Sequence, residues 1–180
     1  MKLGFIGLGI MGAPMAGHLR AAGHELFVTT RSKVPQALLD AGAKACASGA
    51  EVARTADIVF LMVPDTADVE KVLFAEGGVA AGLSKGKTVV DMSSISPIAT
   101  KEFAQRIAAL GCDYLDAPVS GGEVGAKAAS LTIMVGAKDE ATFERVKPLF
   151  ALMGKNITHV GGVGDGQVTK VANQIIVALN

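Results

Sequence analysis

Gly7-Leu8-Gly9-Ile10-Met11-Gly12 leaves this chain few folds to choose from. The run matches G-x-G-x-x-G. It follows an apolar pentapeptide, Lys2–Ile6, that reads as a strand, and it opens a helical stretch, Met11–Ala22, closed by Gly23. Alone the pattern is weak; between a strand and a helix it is specific for a turn that holds a dinucleotide. Gly7 permits the tight turn, Gly9 lets a pyrophosphate approach the backbone, and Gly12 lets the helix pack on the strand. The free N–H groups and the dipole at the helix start attract the phosphates. The plainer alternative is a glycine-rich turn that binds nothing.

The rest of the sequence repeats the alternation. Glu25–Thr29, Asp57–Val63, Thr88–Asp91, Asp113–Leu115, Leu131–Val135 and Thr158–Val160 read as strands. Val34–Ala41, with Ser32 as N-cap, Ser96-Pro97 to about Leu110, and Glu140–Met153 read as helices. The run Ile58-Val59-Phe60-Leu61-Met62-Val63 has no polar alternation, as suits a parallel strand covered on both faces. Residues 1–162 are therefore expected to form an α/β domain of Rossmann type, a doubly wound, mainly parallel sheet. Residues 163–180 differ. Val168, Val171, Ala172, Ile175 and Leu179 make one helical stripe, and Ile176 and Val177 add apolar surface outside it. Such a helix expects burial on all sides. It either continues into a second, absent domain or packs on another chain; a terminal helix docked on the sheet is the simpler reading.

Composition removes several functions. Seventeen basic and seventeen acidic residues balance, which leaves no electrostatic footprint for nucleic acid or an anionic membrane. Only 4% of residues are aromatic and none is Trp, so stacking platforms for single strands are not expected. Cys46 and Cys112 form no disulfide framework and read as small buried hydrophobes. No Cys, His or acid spacing suggests a metal. There is no signal segment and no membrane span, so the cytosol is the simplest compartment. His18, His24 and His159 fall in no motif and read as surface or packing residues.

Cofactor choice is written at the end of the second strand. An NAD site places an acid there for the ribose 2′-hydroxyl. This chain has Thr29-Thr30-Arg31-Ser32-Lys33 instead. Arg31 can pair with a 2′-phosphate through a guanidinium fork and Ser32 can add a hydroxyl. NADP(H) is therefore favoured over NAD(H), with Thr30, Arg31 and Ser32 as contacts. Val63-Pro64-Asp65 and Asp91-Met92-Ser93-Ser94 end strands at the carboxyl edge, where open α/β sheets bind ligands. In Asp116-Ala117-Pro118-Val119-Ser120-Gly121-Gly122, a hydroxyl and two bare backbone N–H groups can meet a carboxylate. Lys170, Asn173 and Gln174 share one face of the last helix.

Taken together, these segments resemble the β-hydroxyacid dehydrogenase family over the whole chain. The match rests on Gly7–Gly12, on Asp116–Gly122 with Glu123 to Ala126 behind it, and on Lys170-Val171-Ala172-Asn173-Gln174. Asp91–Pro97, Asp116–Glu123 and the run from Lys170 to Asn180 are most similar to the branch that reduces tartronate semialdehyde. Reduction of glyoxylate or succinic semialdehyde and oxidation of 3-hydroxyisobutyrate are the rivals. The resemblance implies that Lys170 is the catalytic lysine and that Ser120, Gly121 and Gly122 hold the substrate carboxylate. It places Ser94 near substrate and the nicotinamide ribose; Val63 and Pro64, at the carboxyl edge of their strand, are expected as further cofactor contacts. Many members have Asn four residues after the lysine; here Gln174 stands there and Asn173 precedes it, so the amide that touches substrate is left open. Thr30-Arg31 departs from the Asp-Arg pair of NAD-leaning relatives. The family also carries a C-terminal helical domain that buries the long helix, closes the cleft and forms homo-oligomers. A small carboxylate-bearing aldehyde or hydroxy acid is the implied partner. A non-catalytic dinucleotide-binding module is the alternative of another class, and retention of Lys170 argues against it.

Overall fold

A computed structural model of the chain describes residues 1–179 and gathers the apolar runs into one nine-stranded sheet. The strands are β1 (Lys2–Ile6), β2 (Glu25–Thr29), β3 (Lys44–Ala45), β4 (Ile58–Leu61), β5 (Thr88–Asp91), β6 (Asp113–Asp116), β7 (Val119–Ser120), β8 (Leu131–Gly136) and β9 (Gly154–Gly161). Their order is β3-β2-β1-β4-β5-β6-β8-β7, with β9 paired to β8. The six strands from β3 to β6 are parallel. β8 runs antiparallel to β6 and β7 and parallel to β9. The chain winds outward from β1 to β3, then returns to β4 on the other side. That reversal opens a crevice at the carboxyl end of β1.

Among the described residues eight α-helices flank the sheet: α1 (Gly12–Ala21), α2 (Gln36–Asp40), α3 (Gly49–Thr55), α4 (Thr66–Phe74), α5 (Pro97–Ala108), α6 (Gly122–Lys127), α7 (Glu140–Phe150) and α8 (Asp165–Leu179). Two cores result, one on each face. Leu3, Phe5, Ile58 and Phe60 meet Met15, Leu19, Phe143 and Phe150. Val59, Leu61 and Val89 meet Val52, Val69, Leu73, Phe103 and Ile107. Successive β4 residues thus point into different cores, which is why that strand tolerates no polar alternation.

Several boundaries depart from the expectations above. Ser32 caps no helix: α2 starts at Gln36, with Pro35 before it and no side-chain cap. Pro35 disfavours helical angles at Val34, so the helix cannot begin there. α3 and α4 were not foreseen. Ser48 accepts from Glu51 N at 3.2 Å while Glu51 Oε2 accepts from Ala47 N at 2.7 Å, a capping pair that starts α3. Asp65 accepts from Asp68 N at 2.8 Å and starts α4. β9 extends back to Gly154 through exposed Lys155 and Asn156, a polar stretch with no apolar signal. Cys112 is buried as expected, whereas Cys46 is only partly covered.

Only the first turns of α8 are docked. Gly166, Gln167 and Lys170 are buried, while Val171, Ile175, Val177 and Leu179 are 48%, 56%, 62% and 81% exposed. Asn180, the end of the last motif, lies outside the described residues. Among the described residues no helix is long and apolar enough to cross a membrane.

Candidate active site

Register sets the first wall of the site. Ile6 pairs with Thr29 and Leu61, so Gly7, Thr30 and Met62 leave the sheet at one level. Gly7 turns the chain with φ +95° and donates to Thr29 O at 3.1 Å. A Cβ at Gly7 would lie 2.2 Å from Met62 O. At Gly12 it would lie 1.8 Å from Gly7 O, so the start of α1 presses directly on the turn. At Gly9 nothing stands within 4 Å. That open side faces a groove of about 850 Å³ lined by the whole Gly7–Gly12 turn and by Thr30, Arg31, Ser32, Val63, Pro64 and Ser94. No side chain caps α1; Ala13 N donates to Gly9 O at 3.0 Å and Pro14 has no N–H, so it is the Gly12 N–H and those of the turn before it that can meet phosphate oxygens. The groove, the bare Gly9 and the uncapped helix fit a dinucleotide.

Gly12→Ala is expected to lower stability by about 1–3 kcal/mol, the ordinary range for overpacking. It should also loosen nucleotide binding, because the turn must shift. Thermal melts and NADPH titration of the same variant check both effects.

The second wall carries the lysine. A smaller cavity of about 350 Å³ is lined by Ser94, Ile95, Gln167, Lys170, Val171 and Gln174. Ser94, three residues past β5, lines both spaces. Lys170 is 9% exposed, and its Nζ donates to Gln174 Oε1 at 2.9 Å. Burial holds its pKa below the usual lysine value, since the ammonium loses hydration there.

A buried polar frame fixes Ser94 against α8. Gln167 Oε1 accepts from Ile95 N at 3.0 Å, and Nε2 donates to Ser93 O at 2.7 Å. One amide therefore grips the backbone on both sides of Ser94. Ser93 Oγ accepts from Val63 N at 3.0 Å, which ties in the end of β4. Asp116, fully buried, accepts from Gly164 N at 2.7 Å and Gln167 N at 2.9 Å and so caps α8 from β6. Asp91 accepts from Ser93 N and from Tyr114 OH, each at 2.9 Å. Burial raises both carboxyls to about 6. The Ser93 and Tyr114 donors oppose this at Asp91, and the Gly164 and Gln167 N–H groups oppose it at Asp116.

The residues singled out in the sequence thus divide. Gly7, Leu8, Gly9, Ile10, Met11, Gly12, Thr30, Arg31, Ser32, Val63 and Pro64 share the large groove, and Lys170 and Gln174 share the small one. Asn173 lines neither; its Nδ2 is buried with no hydrogen-bond partner among the described residues. Ser120, Gly121 and Gly122 also line neither. They form the β7–α6 junction, where Gly121 and Gly122 have φ of +134° and +58°. His18 bonds Ala126 O at 2.9 Å and His159 bonds Glu140 at 2.7 Å, both in packing roles. The sequence gives no sign of Gln167 or Asp68, and it places Asp91 and Asp116 only as strand ends, without a role. The two strand-end acids did carry a signal, since a carboxylate closing a buried strand must find donors.

A nucleotide-sized groove at the switch point, beside a smaller cavity that holds a buried lysine, defines a dinucleotide-binding domain. Comparison with known proteins agrees. Residues 2–161 match the model of the NAD binding domain of 6-phosphogluconate dehydrogenase. The chain is 64% identical to 2-hydroxy-3-oxopropionate reductase of Escherichia coli K12 over 180 residues, covering all of this chain and 61% of the relative. The structure of Mycobacterium tuberculosis 3-hydroxyisobutyrate dehydrogenase with L-serine superposes with a TM-score of 0.89 at 36% identity, over 98% of this chain and 60% of the other. Psf3 in complex with NADP+ and 2-OPP gives 0.90 at 30% identity, over 97% and 62%. The chain belongs to the 6-phosphogluconate dehydrogenase-type NAD-binding family, in its 3-hydroxyisobutyrate dehydrogenase-like branch. It spans 60–62% of the length of these relatives.

Proposed function

We propose that this chain is the cofactor domain of an NADP(H)-dependent reductase of small aldehyde acids, with tartronate semialdehyde (2-hydroxy-3-oxopropionate) as first substrate. The observation that carries the reading is the buried Lys170 in a cavity that shares Ser94 with the cofactor groove. The 64% identical reductase supports the substrate class.

When bound, the reduced nicotinamide supplies hydride. The chain's own groups do the rest. The Gly7–Gly12 turn holds the pyrophosphate, Val63 and Pro64 wall the groove, and Arg31 with Thr30 and Ser32 receives the ribose 2′-phosphate. Lys170 stabilises the negative charge that develops on the aldehyde oxygen and gives it a proton from Nζ. Ser94, which lines both cavities, orients substrate. Gln174, already bonded to Lys170, is the amide that faces the substrate cavity; Asn173 is set aside. Ser120 with the Gly121 and Gly122 N–H groups, outside both cavities here, keeps the carboxylate-binding role that the family resemblance implies. The exposed apolar side of α8 is covered by the remainder of a longer chain, which completes the cleft and joins subunits. This chain alone binds cofactor but turns over little.

Initial rates of the full-length protein test the assignment. Tartronate semialdehyde with NADPH is expected to give the highest kcat/KM, ahead of glyoxylate, succinic semialdehyde and 3-hydroxyisobutyrate in the reverse direction. Turnover of none of them overturns the substrate class. Arg31→Asp is expected to reverse the preference of NADPH over NADH. It repels a 2′-phosphate and offers a 2′-hydroxyl its usual acid. An unchanged ratio of dissociation constants contradicts the role of Arg31.

A further inference from the structure

The guanidinium assigned to the 2′-phosphate is engaged from the opposite rim. Arg31 Nη1 donates to Asp68 Oδ1 at 2.8 Å, and Nη2 reaches Oδ2 at 3.5 Å. Arg31 follows β2, and Asp68 stands in the first turn of α4, which follows β4. β2 and β4 flank β1, and both residues line the cofactor groove. The ion pair therefore spans the groove above the end of β1. Asp68 is the anchored member. Its side chain is 15% exposed against 78% for Arg31, and its backbone N–H is held by Asp65 Oδ1 at 2.8 Å.

We propose that Asp68 is a cofactor-specificity residue: its carboxylate occupies the Arg31 fork and so reduces the preference for a 2′-phosphate that Arg31 confers. The inference rests on the reading of Arg31 given above. One guanidinium cannot satisfy two anions as fully as one. A bound 2′-phosphate must displace the carboxylate or share the fork with it, and in either case the two like charges remain close within a partly enclosed groove. A 2′-hydroxyl carries no charge and meets no such competition. The end of the second strand thus has no acid, yet α4 brings one to the same place.

The test uses the two adenosine halves, whose binding needs only this chain. Calorimetric titration with 2′,5′-ADP and 5′-AMP compares the wild type with Asp68→Asn, Arg31→Ala and the double variant. Asp68→Asn is expected to tighten 2′,5′-ADP about tenfold, as suits release of a partly exposed ion pair and removal of a like charge. Binding of 5′-AMP should stay within about twofold, which also reports an intact groove. In the Arg31→Ala background the gain should vanish. Weaker 2′,5′-ADP binding in Asp68→Asn overturns the proposal and makes Asp68 a support for Arg31. So does an equal gain for both ligands, or a gain that persists without Arg31. If the wild type does not distinguish the two ligands and Arg31→Ala changes neither, the reading of Arg31 itself fails, and the role of Asp68 falls with it.

Discussion

Lys170→Met in the full-length enzyme is expected to slow aldehyde reduction by roughly 10²–10⁴-fold, the range for loss of a positioned general acid. NADPH affinity should stay nearly unchanged. The split follows from position: Lys170 lines the small cavity and not the nucleotide groove. Met keeps the unbranched stem in a site that is 9% exposed, so packing is largely retained while the ammonium goes. What disappears is the charge that meets the forming alkoxide and the proton that quenches it. Single-turnover rates with saturating NADPH, read beside fluorescence titration of the cofactor, separate the two effects. Near-normal turnover would move the chemistry to another group. A parallel loss of NADPH binding would make Lys170 part of the cofactor site.

Asp91→Asn and Asp116→Asn should part company in thermal melts at pH 7.5. Both carboxyls are buried at strand ends and both titrate near 6, so each amide relieves a similar desolvation cost. Their partners differ. Asp91 accepts from Tyr114 OH, and a hydroxyl can reverse its role to accept from an amide NH₂. Asp116 accepts from two backbone N–H groups, which cannot reverse. One of them must then face an NH₂, at a cost of about 1–3 kcal/mol. Asp116→Asn is therefore expected to melt about 4–8 °C below Asp91→Asn, taking about 2 kcal/mol at this chain length. Asp91→Asn should melt at or above the wild type. Because Asp116 caps the helix that carries Lys170, its variant should also lose kcat in the full-length enzyme.

The pH dependence has a definite sign. A carboxyl raised to about 6 in the folded state, from an ordinary value near 3.8, binds its proton more readily folded than unfolded. These two groups therefore make stability fall as pH rises from about 4 to about 6. Asp91→Asn should flatten part of that fall, which melts across this interval will show. Equal curves for the wild type and the variant would mean that Asp91 does not titrate there.

The fold was legible wherever one residue type served one geometric need. Gly7, Gly9 and Gly12 announced the first turn, and the unbroken run at 58–63 announced a strand with two covered faces. α3 and α4 were written in the weaker language of caps, Ser48 with Glu51 and Asp65 with Asp68, and lack a long apolar stripe to draw attention. The glycine turn of the candidate site was likewise readable from local pattern, whereas the lysine took its role from the family resemblance. Gln167 and Asp68 were not. Their meaning lies in contacts across 72 residues, to Ile95, and 37 residues, to Arg31. No local periodicity encodes which backbone an amide will clasp or which cation a carboxylate will meet. Asn173 shows the converse: a shared helix face with Lys170 did not bring it to the cavity, because side chains one residue apart diverge by about 100° around a helix.

The alkaline limb of kcat/KM for aldehyde reduction by the full-length enzyme tests the role of Lys170 most directly. The account requires activity to decline as Lys170 loses its proton, with an apparent pKa below the ordinary lysine range because the amine is buried. It also requires the residual activity of Lys170→Met to lack that limb. A wild-type rate that stays level through pH 10, or a limb that survives in the Met variant, would contradict it.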